Sequence, residues 1–142
     1  MAIYNSPNIT NLAPIAAHGE AGGVQVARAS VTCTAAPTTS DTLNFFYLPA
    51  GARVLGGYLT ASDMDTNGSP TLTLNIGDTG SANRFFAASN VAQAGTAALQ
   101  QAASGLDYRV SARTLVTGAA QANAATGAAG TVTLVLLYSV ED

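Results

Sequence analysis

The chain contains one cysteine and one histidine, residue types that often act as the nucleophile or as the general acid or base of an enzyme. Cys33 lies in a run of alternating apolar and polar residues (VQVARASVTC), which is typical of a strand, so we predict a small buried hydrophobic residue rather than a reactive thiol. His18 lies in a stretch rich in Gly, Ala and Pro, a poor place for a preorganised acid or base. With one residue of each type, the usual zinc ligands cannot form a site. The sequence therefore predicts no catalytic residues and no cofactor.

A short acidic motif is the best candidate for binding a cation. Residues 63–68 (DMDTNG) resemble the start of a calcium loop, with oxygen ligands Asp63, Asp65 and Asn67 at alternate positions and a glycine at the sixth. The twelfth position, where a bidentate glutamate closes the calcium site, is Leu74. The alternative interpretation, an Asx-rich turn between two strands, explains the same residues. We expect the turn and no required metal, and keep a weak cation site as the alternative.

The elements that would position such residues have the composition of strands. From Val24 onwards, β-branched and aromatic residues alternate with polar ones between turn residues, and no βαβ alternation is present. About eight to ten short strands at regular spacing are typical of a β-sandwich or jelly roll. The fold class is therefore predicted as all-β. The predicted strands are 24–34, 42–48, 53–62 with a bulge at Gly56-Gly57, 71–76, 84–88, 107–111, 114–117 and 131–140, the last central in its sheet, while 91–103 are left as loop and strand.

Two further features concern surfaces. The adjacent aromatics Phe45-Phe46 and Phe85-Phe86 are expected on opposite faces of their strands, so that one ring of each pair meets a neighbour. Residues 118–130, composed of Ala, Gly, Asn, Gln and Thr, predict a surface loop.

The first 22 residues differ from the rest of the chain. They contain prolines and glycines together with isolated apolar residues that follow neither a helical nor a strand period. We divide the chain into an extended N-terminal arm (1–22) and a β-sandwich domain (23–142). The arm is expected to leave the domain and dock on another surface, such as a neighbouring subunit, with a disordered tail as the alternative. Its predicted anchors are Ile3, Tyr4, Ile9, Leu12 and Ile15.

Charge restricts the possible partners. Only 9% of residues are charged and 48% are hydrophobic, against about 25% charged in a typical soluble domain. We therefore expect a homo-oligomer that hides neutral surface between subunits. The net charge is −3 and the five basic residues are scattered arginines, which argues against binding nucleic acid. No apolar run is long enough to cross a membrane and no secretory signal is visible, so synthesis in a cytoplasm and no membrane partner are expected.

Three segments carry a resemblance to a known family. Residues 49–59 (PAGARVLGGYL), residues 63–85 (DMDTNGSPTLTLNIGDTGSANRF) and residues 129–138 (AGTVTLVLLY) resemble small head structural proteins of tailed bacteriophages, in particular capsid decoration or cement proteins. The resemblance is continuous over about residues 42–89.

This resemblance implies a β-sandwich or jelly roll on the outer surface of an icosahedral virion. It implies that the partners are the major capsid protein and further copies of the chain, often as a homotrimer that stabilises the capsid, and it brings no catalytic residues. The alternative is a host-recognition or carbohydrate-binding β-sandwich of a head fibre or tail, which normally presents exposed aromatic platforms. This chain has no Trp and only 6% aromatic residues.

Overall fold

A computed structural model describes residues 1–10, 23–99 and 102–140. Nearly all regular structure in these ranges is β-strand, and no helix there has the length and apolar character that a membrane span requires. The strands are β1 (Ile3–Asn5), β2 (Val24–Cys33), β3 (Thr42–Leu48), β4 (Ala52–Ala61), β5 (Thr73–Gly77), β6 (Phe86–Ser89), β7 (Ala97–Leu99), β8 (Thr114–Ala122) and β9 (Gly130–Val140). The helical elements are α1 (Pro7–Thr10) and two single 3₁₀ turns at Val91–Gln93 and Ala103–Gly105.

The strands form two packed sheets. One has the order β1-β3-β8-β5-β6 and the other β2-β9-β4-β7. Along the chain from β2 to β9, successive strands alternate between the sheets, except that β5 and β6 pair with each other. Eight strands connected in this way make a jelly roll, to which β1 adds a ninth strand at one edge. The predicted all-β fold class is confirmed.

Alternation of side chains explains why these residues form a two-layer core. In β5, Leu74 and Ile76 are fully buried between the sheets, whereas Thr73 and Asn75 lie on the outer side. The most hydrophobic strand, β9, pairs with β2 on one side and β4 on the other, so it is central as predicted. Its Tyr138 is the largest side chain with no exposed surface. The core therefore lies between two sheets that each contribute one face.

Both aromatic pairs differ from expectation. Phe45 and Phe46 are both buried, because the pairing of β3 with β8 shifts register between Asn44 and Phe46 and turns both rings inward. Phe85 and Phe86 are also buried together. The prediction that one ring of each pair faces a neighbour is wrong.

The loop predicted at 118–130 is also partly wrong, because β8 continues to Ala122. Small residues are needed in that strand, since a Cβ on Gly118 would lie 2.8 Å from Ile76 Cδ1 and 3.0 Å from Phe45 Cε2. The low-complexity composition therefore reflects close packing over an aromatic ring. Only the remainder, from Asn123 onwards, is a loop before β9.

The predicted strand at 107–111 is reduced to a short ladder beside β4. The amides of Asp107 and Val110 donate to the carbonyls of Val54 and Ala52, both at 2.8 Å. This ladder follows β7 along the same edge of β4, and residues 100–101 between them lie outside the described residues. One edge of the four-stranded sheet is thus completed by two short pieces.

Glycine 77 provides a test of the turn after β5. A Cβ there would clash with the carbonyl oxygen of Ser81, a backbone atom that cannot move aside. We therefore expect Gly77→Ala to lower the free energy of unfolding by about 1–3 kcal/mol. Gly68→Ala is the matched control, because its Cβ would meet no atom within 4 Å. Urea unfolding of the two variants measures the difference. Equal stabilities would contradict this packing.

Candidate assembly surfaces

Of the two residues considered for catalysis, the structure describes Cys33, which lies in the core. Cys33 is buried at the end of β2, and burial, together with the negative charge of Asp41, raises the pKa of its thiol to about 11. Such a thiol stays protonated and acts as a core residue, as predicted. His18 lies outside the described residues.

The acidic motif forms a clasp between two loops. Asp65 is buried, and its carboxylate accepts four backbone hydrogen bonds, from Thr71, Leu72, Ala125 and Thr126, at 2.7–3.0 Å. The first two donors lie in the connection from β4 to β5 and the other two in the connection from β8 to β9. One side chain therefore holds together two connections that cross between the sheets.

The other two residues of the motif complete turns around Asp65. Asp63 Oδ1 accepts the amide of Asp65 at 3.2 Å, and Asn67 Oδ1 accepts that of Ser69 at 2.9 Å. Asn67 also donates to Thr126 Oγ1 at 2.9 Å. Among the described residues, no group of three or more His, Cys, Asp or Glu could hold a metal ion. These contacts agree with the Asx-turn interpretation.

Asp41 and Asp78 act in the same way at other turns. Asp41 accepts the amide of Ala2 at 2.7 Å and that of Thr38 at 2.9 Å. Asp78 accepts two amides of its own turn at 2.9 Å and pairs with Arg84 at 2.7 Å. Each buried carboxylate thus satisfies backbone donors that a tight turn leaves unpaired.

The N-terminal segment lies along the sandwich in this structure. Strand β1 pairs in parallel with β3, with Ile3, Tyr4 and Asn5 opposite residues 42–44. Ser6 donates its amide to the Asn44 carbonyl at 2.9 Å and its hydroxyl to the Phe45 carbonyl. In α1, Asn8 donates to the carbonyl of Arg28 in β2 at 3.0 Å. The segment therefore bridges the edges of both sheets.

The predicted arm anchors have different surroundings. Tyr4 packs against the core and Ile9 is half-buried, whereas Ile3 is 55% exposed. Leu12 and Ile15 lie outside the described residues. The first ten residues thus lie on the domain rather than extend away from it, so the expectation of an arm that reaches a partner now depends on Ile3 and on residues beyond Thr10. The domain boundary at residue 22 stays a prediction.

The outer side of the four-stranded sheet carries an unusual set of exposed apolar side chains. The pairing register aligns Val24 and Val26 of β2 with Ser139 and Leu137 of β9, and Tyr58 of β4 with Leu99 of β7. A bulge in β4 places Leu55 beside this set. We call this surface the apolar face and define it by Val24, Val26, Leu55, Tyr58, Leu99 and Leu137, which are 37–72% exposed.

The outer side of the five-stranded sheet is different in character. Its outward positions include Asn44 opposite Thr117 in β3 and β8, and Thr73 and Asn75 in β5. Thr73 also hydrogen-bonds Gln121 at 3.4 Å. The low charge of the chain therefore does not by itself make every sheet face apolar. The apolar face was not predicted from the sequence, although the outward positions of β2 begin with two valines while two of its inward positions are alanines.

A shallow concavity of about 350 Å³ lies where α1 passes over β2, and no catalytic group lines it. Its walls are Asn5, Pro7, Thr10, Ser30 and Thr32. Amides, hydroxyls and a proline ring provide neither a nucleophile activated by a base nor an acid–base pair. The sheet face and the N-terminal segment are thus the notable surfaces.

Comparison with solved structures identifies the kind of protein. A chain in the capsid asymmetric unit of cyanophage Pam1 is 43% identical, with a TM-score of 0.79 over 92% of this chain and 96% of that one. The chain belongs to a family of phage capsid proteins. It is a structural protein of the virion, as the resemblance implied. No protein-family model matches it, and a search of curated proteins finds no relative.

Two other capsids contain chains of the same fold. One in the capsid of Ralstonia phage GP4 is 29% identical, with a TM-score of 0.87 and 99% of both chains covered. One in the acidic stable capsid of Helicobacter pylori bacteriophage KHP30 is 17% identical, with a TM-score of 0.62 over 86% of this chain and 91% of that one, and shows the fold alone. Capsid proteins of this shape are thus found in phages of different hosts.

We expect Asp65→Asn to destabilise the capsid protein strongly. An amide has one acceptor oxygen, so some of the four backbone donors would face an NH₂ group instead. The melting temperature should fall by roughly 5–10 °C. Asp107→Asn, at an exposed residue with a φ of 61° that asparagine tolerates, is the control and should change it little. Equal melting temperatures for the two variants would contradict the clasp.

Stability should also depend on acid. Burial on its own would raise the pKa of Asp65, but the four backbone hydrogen bonds outweigh it, so the folded pKa lies well below the ordinary 3.8. Hydrogen bonds from the Ala2 and Thr38 amides lower the pKa of Asp41 too. A depressed folded pKa stabilises the protein above the ordinary value, and this contribution is lost as pH falls below 3.8 towards the folded pKa.

The unfolding free energy should accordingly be level near neutral pH and decline below 3.8, with a shallower decline in Asp65→Asn. Urea unfolding across this pH range measures it. A decline of equal slope in the wild type and the variant would mean that Asp65 is not responsible.

Proposed function

We propose that this capsid protein decorates the outer surface of a tailed-phage head by binding the shell of the major capsid protein. The observation that carries the proposal is the coverage of the matches, at 92% and 96% for the Pam1 capsid chain and 99% both ways for that of GP4. Those chains are thus about as long as this one. A chain of this size suits an accessory role on a shell.

The distribution of charge supports the outer rather than the inner side of the shell. A protein that faces packaged DNA needs clustered positive charge. Here Arg53 pairs with Asp107 at 3.1 Å and Arg84 with Asp78 at 2.7 Å, while Arg113 stacks on the ring of Tyr47 at 4.1 Å. These cations are used within the fold, and the net charge is −3.

We further propose that the N-terminal arm contributes to attachment. Ile3 is on the outside of β1, and Leu12 and Ile15 follow within the next twelve residues. Each such side chain contributes on the order of 1.5–3 kcal/mol when fully buried. The same contacts repeated on a symmetric shell would make attachment cooperative with assembly.

Self-association, as a homotrimer that contacts adjacent capsid subunits, is also part of the proposal. A chain with 9% charged residues and an apolar sheet face gains stability by covering that face permanently. A carbohydrate-binding role is less well supported, because Tyr58 is the single aromatic among the large hydrophobic residues that are well exposed in the described part of the chain.

Binding to undecorated heads tests the proposal. The purified protein should bind stoichiometrically to intact, DNA-filled heads and raise the temperature at which they release DNA. Binding to filled heads requires an outer site, because the interior is closed. If the protein binds only opened or disrupted shells, the outer placement is wrong.

The arm is tested on the same heads with the triple variant Ile3→Ser, Leu12→Ser, Ile15→Ser. Loss of three apolar contacts should weaken binding at least tenfold, since about 1.4 kcal/mol corresponds to a factor of ten. Leu106→Ser, an exposed leucine outside both the arm and the apolar face, is the control. If the triple variant binds heads as tightly as the control does, the arm is not an attachment element.

A further inference from the structure

We propose that the apolar face is the contact surface between copies of this chain, an inference that rests on the self-association included in the proposed function. The face extends over all four strands of its sheet, from β2 at one edge through β9 and β4 to β7 at the other. Scattered exposed leucines need no explanation, but six exposed apolar side chains on one side of a single sheet do.

The size of the face fits one protein interface. The exposed parts of its six side chains add up to an area on the order of 500 Å², near the upper end for the largest apolar patch of a typical monomer. A stable interface covers about 800 Å² on each partner, with an apolar centre and a polar rim. The face therefore provides the centre of one standard interface.

A polar rim is present beside it. In the next row along the strands, Ser30 and Thr133 hydrogen-bond through their hydroxyls at 2.7 Å, and Thr60 lies opposite Thr133. On the other side, Arg53 lies opposite Ser139 and pairs with the exposed Asp107. These groups stay hydrogen-bonded or solvated while the apolar centre is covered.

The shape of the apolar face is compatible with contact between two copies of the chain. Leu99 protrudes, with 72% of its surface exposed, and Tyr58 stands beside it. Gly56 lies opposite Leu137, and a Cβ at Gly56 would meet no atom within 4 Å, so there is open space above it. The face thus has a projecting side chain at Leu99 and an open, low region at Gly56, which a self-complementary contact between two copies can use.

Charge also favours a second copy over a charged partner. Between the two polar rims, the aligned outward positions of the sheet include one charged side chain, Arg28. It lies in the same row as Val135 and Tyr58. The face therefore offers a highly charged partner little to pair with, and Arg28 itself is exposed on the edge strand β2, where its guanidinium can stay in water when the apolar side chains are covered. The occupant is therefore inferred to be another copy of the chain.

The mass of the intact protein in solution tests this inference. The wild type should have a mass that is a multiple of 14.2 kDa by light scattering at micromolar concentration. Tyr58→Asp and Leu99→Asp should each shift it to a single chain, because a buried unpaired charge opposes association. Leu106→Asp, at an exposed leucine outside both the arm and the apolar face, is the control and should keep the wild-type mass.

Folding and head binding separate the outcomes. Both residues are exposed, so the two face variants should keep the far-ultraviolet spectrum of the wild type. The milder Val24→Ser, Val26→Ser variant should weaken association by at least tenfold.

A monomeric wild type, or face variants with the wild-type mass, would overturn the inference. If a monomeric wild type binds heads and the face variants do not, the face belongs to the shell instead. Association through the face without head binding would support the inference and reject decoration.

Discussion

A sandwich of two sheets has four faces and can bury only two of them in its own core. The two outer faces are exposed to water unless another molecule covers them, and here they differ in polarity. The outer side of the five-stranded sheet presents Thr and Asn, whereas the outer side of the four-stranded sheet presents Val, Leu and Tyr. In a chain with 9% charged residues, that second face has few charges to keep it apart from other apolar surfaces. Assembly is the physical consequence, and membership of a phage capsid family is consistent with it.

The same architecture explains where the few charges are used. Because most connections cross between the sheets, the two ends of the sandwich contain tight turns with unpaired backbone amides. Asp41, Asp65 and Asp78 are buried there as acceptors, and they are three of only eight acidic residues. Because these three carboxylates are buried at turns, they contribute little charge to the surface, and the exterior is even more neutral than the composition indicates. The clasp at Asp65 also joins two connections that cross between the sheets.

Strand positions were largely readable from the sequence, because the alternation in Leu74 and Ile76 and the glycine pair at 56–57 report directly on local backbone geometry. The inward turn of Phe46 was not, since the register shift beside it has no glycine or proline to signal it. The strand through Gly118 was missed because its small residues are required by the distant Phe45 ring. An Asx-rich turn and the start of a calcium loop share the same residues, so Asp65 could be assigned only from its four amide donors. The apolar face needed the pairing of β2, β9, β4 and β7, which no local pattern contains.

The most direct test is a cryo-electron microscopy reconstruction of the mature virion that contains this protein. We predict density for the jelly roll outside the shell, with the apolar face of one copy, including Tyr58 and Leu99, packed against a neighbouring copy. The N-terminal segment should be directed towards the major capsid protein. Density on the inner surface beside the DNA, or an outer copy whose apolar face is open to solvent, would contradict this prediction.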